Sequence, residues 1–148
     1  VANVLQVWEG NDGWSVLGLR YYVHQDFDIQ PSIGGAFDFI VSARLLGAQI
    51  GSATVTPLQN GPVNLNVTGA GTIKGEINDW QGYRADGTPA AWNAGSLATA
   101  RFMLTLDIDV TAPLIGHIVV KGFHKPVTVL LHWDAATKKY VFAASQPG

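Results

Sequence analysis

Four histidines, eleven acidic residues and five tryptophans are the side chains of this 148-residue chain that could do chemistry. His24, Asp26 and Asp28 alternate along one segment, as do His132 and Asp134. A histidine with carboxylates two and four residues on could be a metal group, or a base with its orienting acid. None of the four histidines (His24, His117, His124, His132) stands in a metal-ligand motif such as H-E-x-x-H. Neighbours two apart on a strand are about 7 Å apart, too far to hydrogen-bond directly. Arg20, Tyr22, His24, Asp26 and Asp28 are therefore expected on one solvated strand face, without metal. Asp107 and Asp109 share a face in the same way. Nothing marks them as the paired carboxylates of a glycosidase, which face each other across a substrate. There is no G-x-S-x-G elbow, no phosphate-binding glycine loop and no cysteine. No catalytic residue, metal or cofactor is expected from these patterns.

The tryptophans carry more. Trp8, Trp14, Trp80 and Trp92 stand among Gly, Asn and Asp in segments rich in turn residues. An aromatic ring offers a stacking face to the apolar side of a sugar, while carboxylates and amides take hydroxyls. Trp8, Asp12, Trp14, Trp80, Tyr83, Asp86 and Trp92 are accordingly the expected ligand-binding residues, in loops around 8–14 and 80–92. The competing expectation is that these rings plug the ends of a core. Trp133 alternates with apolar residues and reads as core.

The elements that must position these residues are strands. From Val16 to Ile29, Leu17, Leu19, Tyr21, Val23, Phe27 and Ile29 alternate with Arg20, Tyr22, His24, Asp26 and Asp28, the pattern of a half-buried antiparallel strand. Gln30 to Gly35 turns it. Phe37, Phe39, Val41, Ala43 and Leu45 make the return strand of a hairpin. Ser52–Thr56, Val63–Val67 and Thr72–Ile77 read as shorter strands. The stretch from Asn78 to Gly95 reads as a long aromatic-rich loop. Ala100, Phe102, Leu104, Leu106, Ile108 and Val110 mark another long strand, closed by Pro113. Leu114–Val120, Val127–Trp133 and Lys139–Ala143 read as the last three.

Apolar residues make up 47% of the chain and charged residues 14%, which excludes intrinsic disorder. The net charge of −2 offers no footprint for nucleic acid. No apolar run approaches the ~18 residues of a membrane-spanning helix. Seventeen glycines and seven prolines place turns between the strands. The expectation is one all-β domain over residues 1–148, an antiparallel β-sandwich or closed β-barrel of eight to nine strands.

A faint internal repeat relates 8–77 to 80–142. Trp8-Glu9-Gly10 answers Trp80-Gln81-Gly82. Phe39 answers Phe102, Pro62-Val63 answers Pro126-Val127, and Thr72 answers Thr137, at offsets of 63, 64 and 65 residues. Two pseudo-symmetric halves would follow. Asn66-Val67-Thr68 is a glycosylation sequon; secreted and cytoplasmic settings both fit the composition.

Three functions stay open. The leading one is a non-enzymatic carbohydrate-binding module of lectin type. The second is a barrel taking a small apolar molecule inside, as a binder, isomerase or cyclase. The third is a structural or toxin-like assembly subunit. The low charge leaves little to oppose self-association, so a homo-oligomer, most simply a twofold dimer, is expected.

Overall fold

The computed structural model describes residues 4–16, 19–32, 34–56, 60–112 and 116–143, with side chains described except at 8–16, 19–25, 112, 118 and 120. No helix occurs among the described residues. The strands are β1 (Leu5–Val16), β2 (Leu19–Pro31), β3 (Phe39–Leu45), β4 (Ala48–Val55), β5 (Gly61–Val67), β6 (Ala70–Tyr83), β7 (Pro89–Ala90), β8 (Thr99–Ala112), β9 (Gly116–Asp134) and β10 (Lys139–Phe142). All but β7 follow one another around a single antiparallel meander in the order β1-β2-β3-β4-β5-β6-β8-β9-β10, and β7 pairs with β6. The sheet is nearly closed into a barrel. At the seam β1 approaches β9 and β10 approaches β2.

Strict alternation drives this architecture. On β8, Ala100, Phe102, Leu104, Leu106, Ile108 and Val110 are all buried, while the residues between them are exposed or half-buried. Phe27 and Ile29 on β2, Phe39, Val41, Ala43 and Leu45 on β3, and Ile73 and Ile77 on β6 complete the same core. Each strand thus turns one face inward and one outward, as a sheet curled on itself requires.

Four readings of the sequence are corrected. Residues 8–14 are not a loop: they lie within β1, which pairs with β2 from Leu5↔Ile29 to Val16↔Leu19. Glycines at 10 and 13 suggested turns, but the ladder to β2 holds the chain extended through them. The stretch 78–95 is only partly a loop, because β6 runs on to Tyr83 and β7 adds a short return. Residues 116–120 and 127–133 belong to a single 19-residue strand, β9, while 114 and 115 lie outside the described residues. The ladder with β8 crosses the break through a bulge, where Leu106↔Phe123 is followed by Ile108↔Val120. Gly122, at φ 74°, takes the left-handed backbone at that bulge at no steric cost. Pro126 is accepted in β9 because, among the described residues, the strand is laddered there on its β8 side alone. The fourth correction concerns Asp26 and Asp28. They lie on the face opposite Phe27 and Ile29, yet are only 7% and 9% exposed. Arg44 donates to Asp28 at 2.8 Å and the Gln6 amide to Asp26 at 3.4 Å, so the face is packed rather than solvated at these two positions; the side chains of Arg20, Tyr22 and His24 lie outside the described residues.

Candidate functional site

One end of the barrel is filled by aromatic rings. Phe39, Phe102, Tyr140 and Phe142 are buried there, and Phe37, Trp80, Trp92 and Trp133 are half-buried against them. Trp80 reaches this cluster through a second bulge. Asn78↔Met103 is followed by Gln81↔Arg101, so Asp79 and Trp80 oppose Phe102 alone. Asp79 adopts φ 61° to make the turn. The extra residue shifts the inward phase of β6 from Ile73 and Ile77 to Trp80 and Gly82. The Trp80 ring then lies 4.2 Å from Phe102 and 5.7 Å from Trp92, centroid to centroid.

Trp92 sits on the loop spanning 91–98, which crosses the barrel end. Four hydrogen bonds tie this loop down. Leu97 N donates to the Tyr140 hydroxyl at 3.1 Å, and that hydroxyl donates to the Asn93 carbonyl. Ala98 N donates to Tyr83 O, and Leu131 N to Ala98 O, each at 2.8 Å. Leu97 packs directly on Gly82, where a Cβ would come within 2.8 Å of its methyl groups. A side chain at 82 would therefore force the Leu97 side chain to move.

Within this cluster the indole Nε1 atoms of Trp80 and Trp92 are both buried and have no hydrogen-bond partner. A buried N–H without an acceptor forfeits its bond to water and costs roughly 1–3 kcal/mol. Two such groups meet at rings 5.7 Å apart.

The other expected site residues fall elsewhere. Tyr83 ends β6, with the Arg101 guanidinium 5.0 Å over its ring. Asp86 lies in the following turn, where its carboxylate accepts from the Thr88 hydroxyl at 2.7 Å and the Thr88 amide at 3.0 Å. Those bonds hold its pKa below the usual carboxylate value. Trp8, Asp12 and Trp14 stand in register with Phe27, Val23 and Tyr21; their side chains lie outside the described residues. Among the expected residues whose side chains are described, Trp80 and Trp92 are brought into contact.

A second concave surface escaped the sequence reading. Across the outer face of β6, β8 and β9 lies a groove of about 640 Å³, lined by Lys74, Glu76, Thr105, Asp107 and His124 together with Leu106, Phe123, Gly75 and Gly122. Asp107 Oδ1 accepts from Gly122 N at 2.8 Å, and the Gly122 carbonyl bonds His124 Nδ1 at 3.1 Å. One residue at the β9 bulge, Gly122, thereby holds both side chains through its N–H and its carbonyl. The sequence signal was the outward phase of three neighbouring strands, which becomes readable only once Lys74↔Asp107 and Thr105↔His124 are known as register pairs. No group of three or more metal-ligating side chains gathers among the described residues.

Comparison with protein-family models, with curated proteins and with solved structures finds no match to this chain.

Proposed function

We propose that the protein is a non-enzymatic binder of a small, largely apolar molecule that carries a hydrogen-bond acceptor, held at the aromatic end of the barrel. The observation that supports this reading is the pair of buried, unpartnered indole N–H groups of Trp80 and Trp92 within a cluster of eight rings. Sites of this kind combine an apolar lining with a few placed polar groups. A ketone, ester or ether oxygen between the two indoles would satisfy donors that the protein leaves open, while the rings take the carbon skeleton. A sugar stacked on the same tryptophans is less well served. Both rings are half-buried against neighbouring rings, Trp80 on Phe102 and Trp92 across Phe39 and Trp80, and both N–H groups are buried.

A matched pair of ligands tests this. Calorimetric titration with 2-heptanone and with heptane should show the ketone binding about tenfold tighter, the worth of one satisfied hydrogen bond. Trp80→Phe and Trp92→Phe keep a ring and remove the donor, and should erase that preference. Equal affinity for the two compounds in the wild-type protein, or binding of neither, overturns the reading.

A further inference from the structure

From the outer groove we infer a second binding site, for a neutral polyhydroxylated ligand of the pyranose class. The inference is independent of the aromatic end, which lies farther along the same strands and faces inward.

The valences left open in the groove define the ligand. A carbonyl can only accept, so the contact with Gly122 O places the proton of the neutral His124 ring on Nδ1 and leaves Nε2 as an acceptor. Asp107 uses Oδ1 on Gly122 N and keeps Oδ2. Glu76 takes the Asn78 amide on Oε2 at 3.3 Å and keeps Oε1. Thr105 Oγ1 accepts from Glu76 N at 3.0 Å and so fixes the β6–β8 wall of the groove. Lys74 supplies an ammonium in register with Asp107. The groove therefore offers three acceptors and one strong donor around a largely apolar floor, where Leu106 and Phe123 lie beside the side-chain-free Gly75 and Gly122.

This set selects by chemistry. An anion would face two carboxylates with one lysine to offset them. A divalent cation would meet the Lys74 ammonium among its ligands. Vicinal hydroxyls suit the arrangement, because each can donate to a carboxylate or to His124 Nε2 and accept from Lys74. A volume of about 640 Å³ is within the range of small-molecule sites and admits one or two sugar rings.

The test uses the full chain and a panel of methyl glycosides of glucose, galactose, mannose and N-acetylglucosamine, followed by saturation-transfer NMR and calorimetry. At least one should bind with a Kd of about 1 mM or tighter. Its addition should shift the His124 imidazole nitrogen resonances. His124→Ala and Asp107→Asn should each weaken binding about tenfold, as loss of a hydrogen bond involving a charged or oriented group does. His124→Gln, which keeps an acceptor, should retain most of the affinity. Trp92→Phe should leave it unchanged, which separates this site from the aromatic end. Binding of no member of the panel overturns the inference, as does binding that survives both His124→Ala and Asp107→Asn or that is lost in Trp92→Phe.

Discussion

Asp28 shows how a single carboxylate departs from what alternation implies. Its neighbours Phe27 and Ile29 face the core, so position 28 was expected in water; instead it is buried beside Ser42 and Arg44, which are in register with Asp28 and Asp26 on β3. Burial raises its pKa above 3.8; the hydrogen bond from Arg44 offsets part of this, and the charge of Asp26 adds to the rise. An acid whose pKa is higher in the folded than in the unfolded protein binds its proton more tightly when folded. Its contribution to stability is therefore full at pH below 3.8 and is lost as pH rises through the folded value. Asp109 behaves oppositely: a 2.6 Å contact with His117 lowers its pKa, so its contribution is present above the usual carboxylate value and lost on acidification. Replacing Asp26 by Asn removes one cause of the rise at Asp28. Carboxyl ¹³C titration should then find Asp28 closer to 3.8, and the decline in stability on raising the pH should become shallower. An Asp28 titration that does not move would show that Asp26 contributes nothing to it.

At the scale of elements, legibility followed regular alternation and failed at bulges. β8 was readable end to end, because Ala100 to Val110 keep period two without interruption. β9 was split in two by Gly122 and Pro126, and β1 was missed because its glycines resemble turns when its partner β2 is unknown. The aromatic site was half legible for the same reason. Trp80 and Trp92 were singled out by type, but the extra residue at Asp79 that turns Trp80 inward leaves no mark in composition. The loop 91–98 is a further case, since what holds it is a tyrosine 43 residues from Leu97. Tyr140 is 1% exposed, and its hydroxyl bridges Leu97 N and Asn93 O. Tyr140→Phe keeps the ring and leaves the Leu97 amide without its acceptor, a loss of about 1–3 kcal/mol. Urea unfolding should register that loss, and the Leu97 amide should exchange with solvent faster while amides in β8 do not. Because this loop carries Trp92, the same variant should weaken 2-heptanone binding more than its effect on global stability accounts for.

For the whole molecule, the meander makes nearly every ladder a pairing of sequence neighbours, and leaves the seam to close the sheet between its first and last strands. All-β character and a barrel or sandwich were legible from strand number and turn spacing. The choice of a barrel was not, because it depends on how β1, β9 and β10 meet. Among the described residues, contacts across this seam join β9 and β10 to β2 and the turn after it. Phe27 and Phe123 pack with centroids 4.8 Å apart, Tyr140 N donates to Ala36 O at 3.0 Å, and Lys139 Nζ donates to Ser32 O at 2.8 Å. Between β6 and β8, by contrast, an antiparallel ladder runs from Ala70↔Thr111 to Tyr83↔Thr99 with one bulge. Regions with few backbone bonds and sparse apolar contact open at lower free energy than the core they border. Native-state hydrogen exchange should therefore divide the barrel. Amides of β6 and β8 around Ile73, Ile77, Leu104 and Leu106 should exchange only through global unfolding, with its full denaturant dependence. The amide of Tyr140, which bonds Ala36 O across the seam, should exchange through a smaller opening with a shallower dependence. Phe123→Ala, which removes one ring of the seam contact, should lower the free energy of that smaller opening more than it lowers protection at Ile73. If all these amides instead share one free energy and one denaturant slope, the seam is as cooperative as the ladders, and the barrel opens only by unfolding.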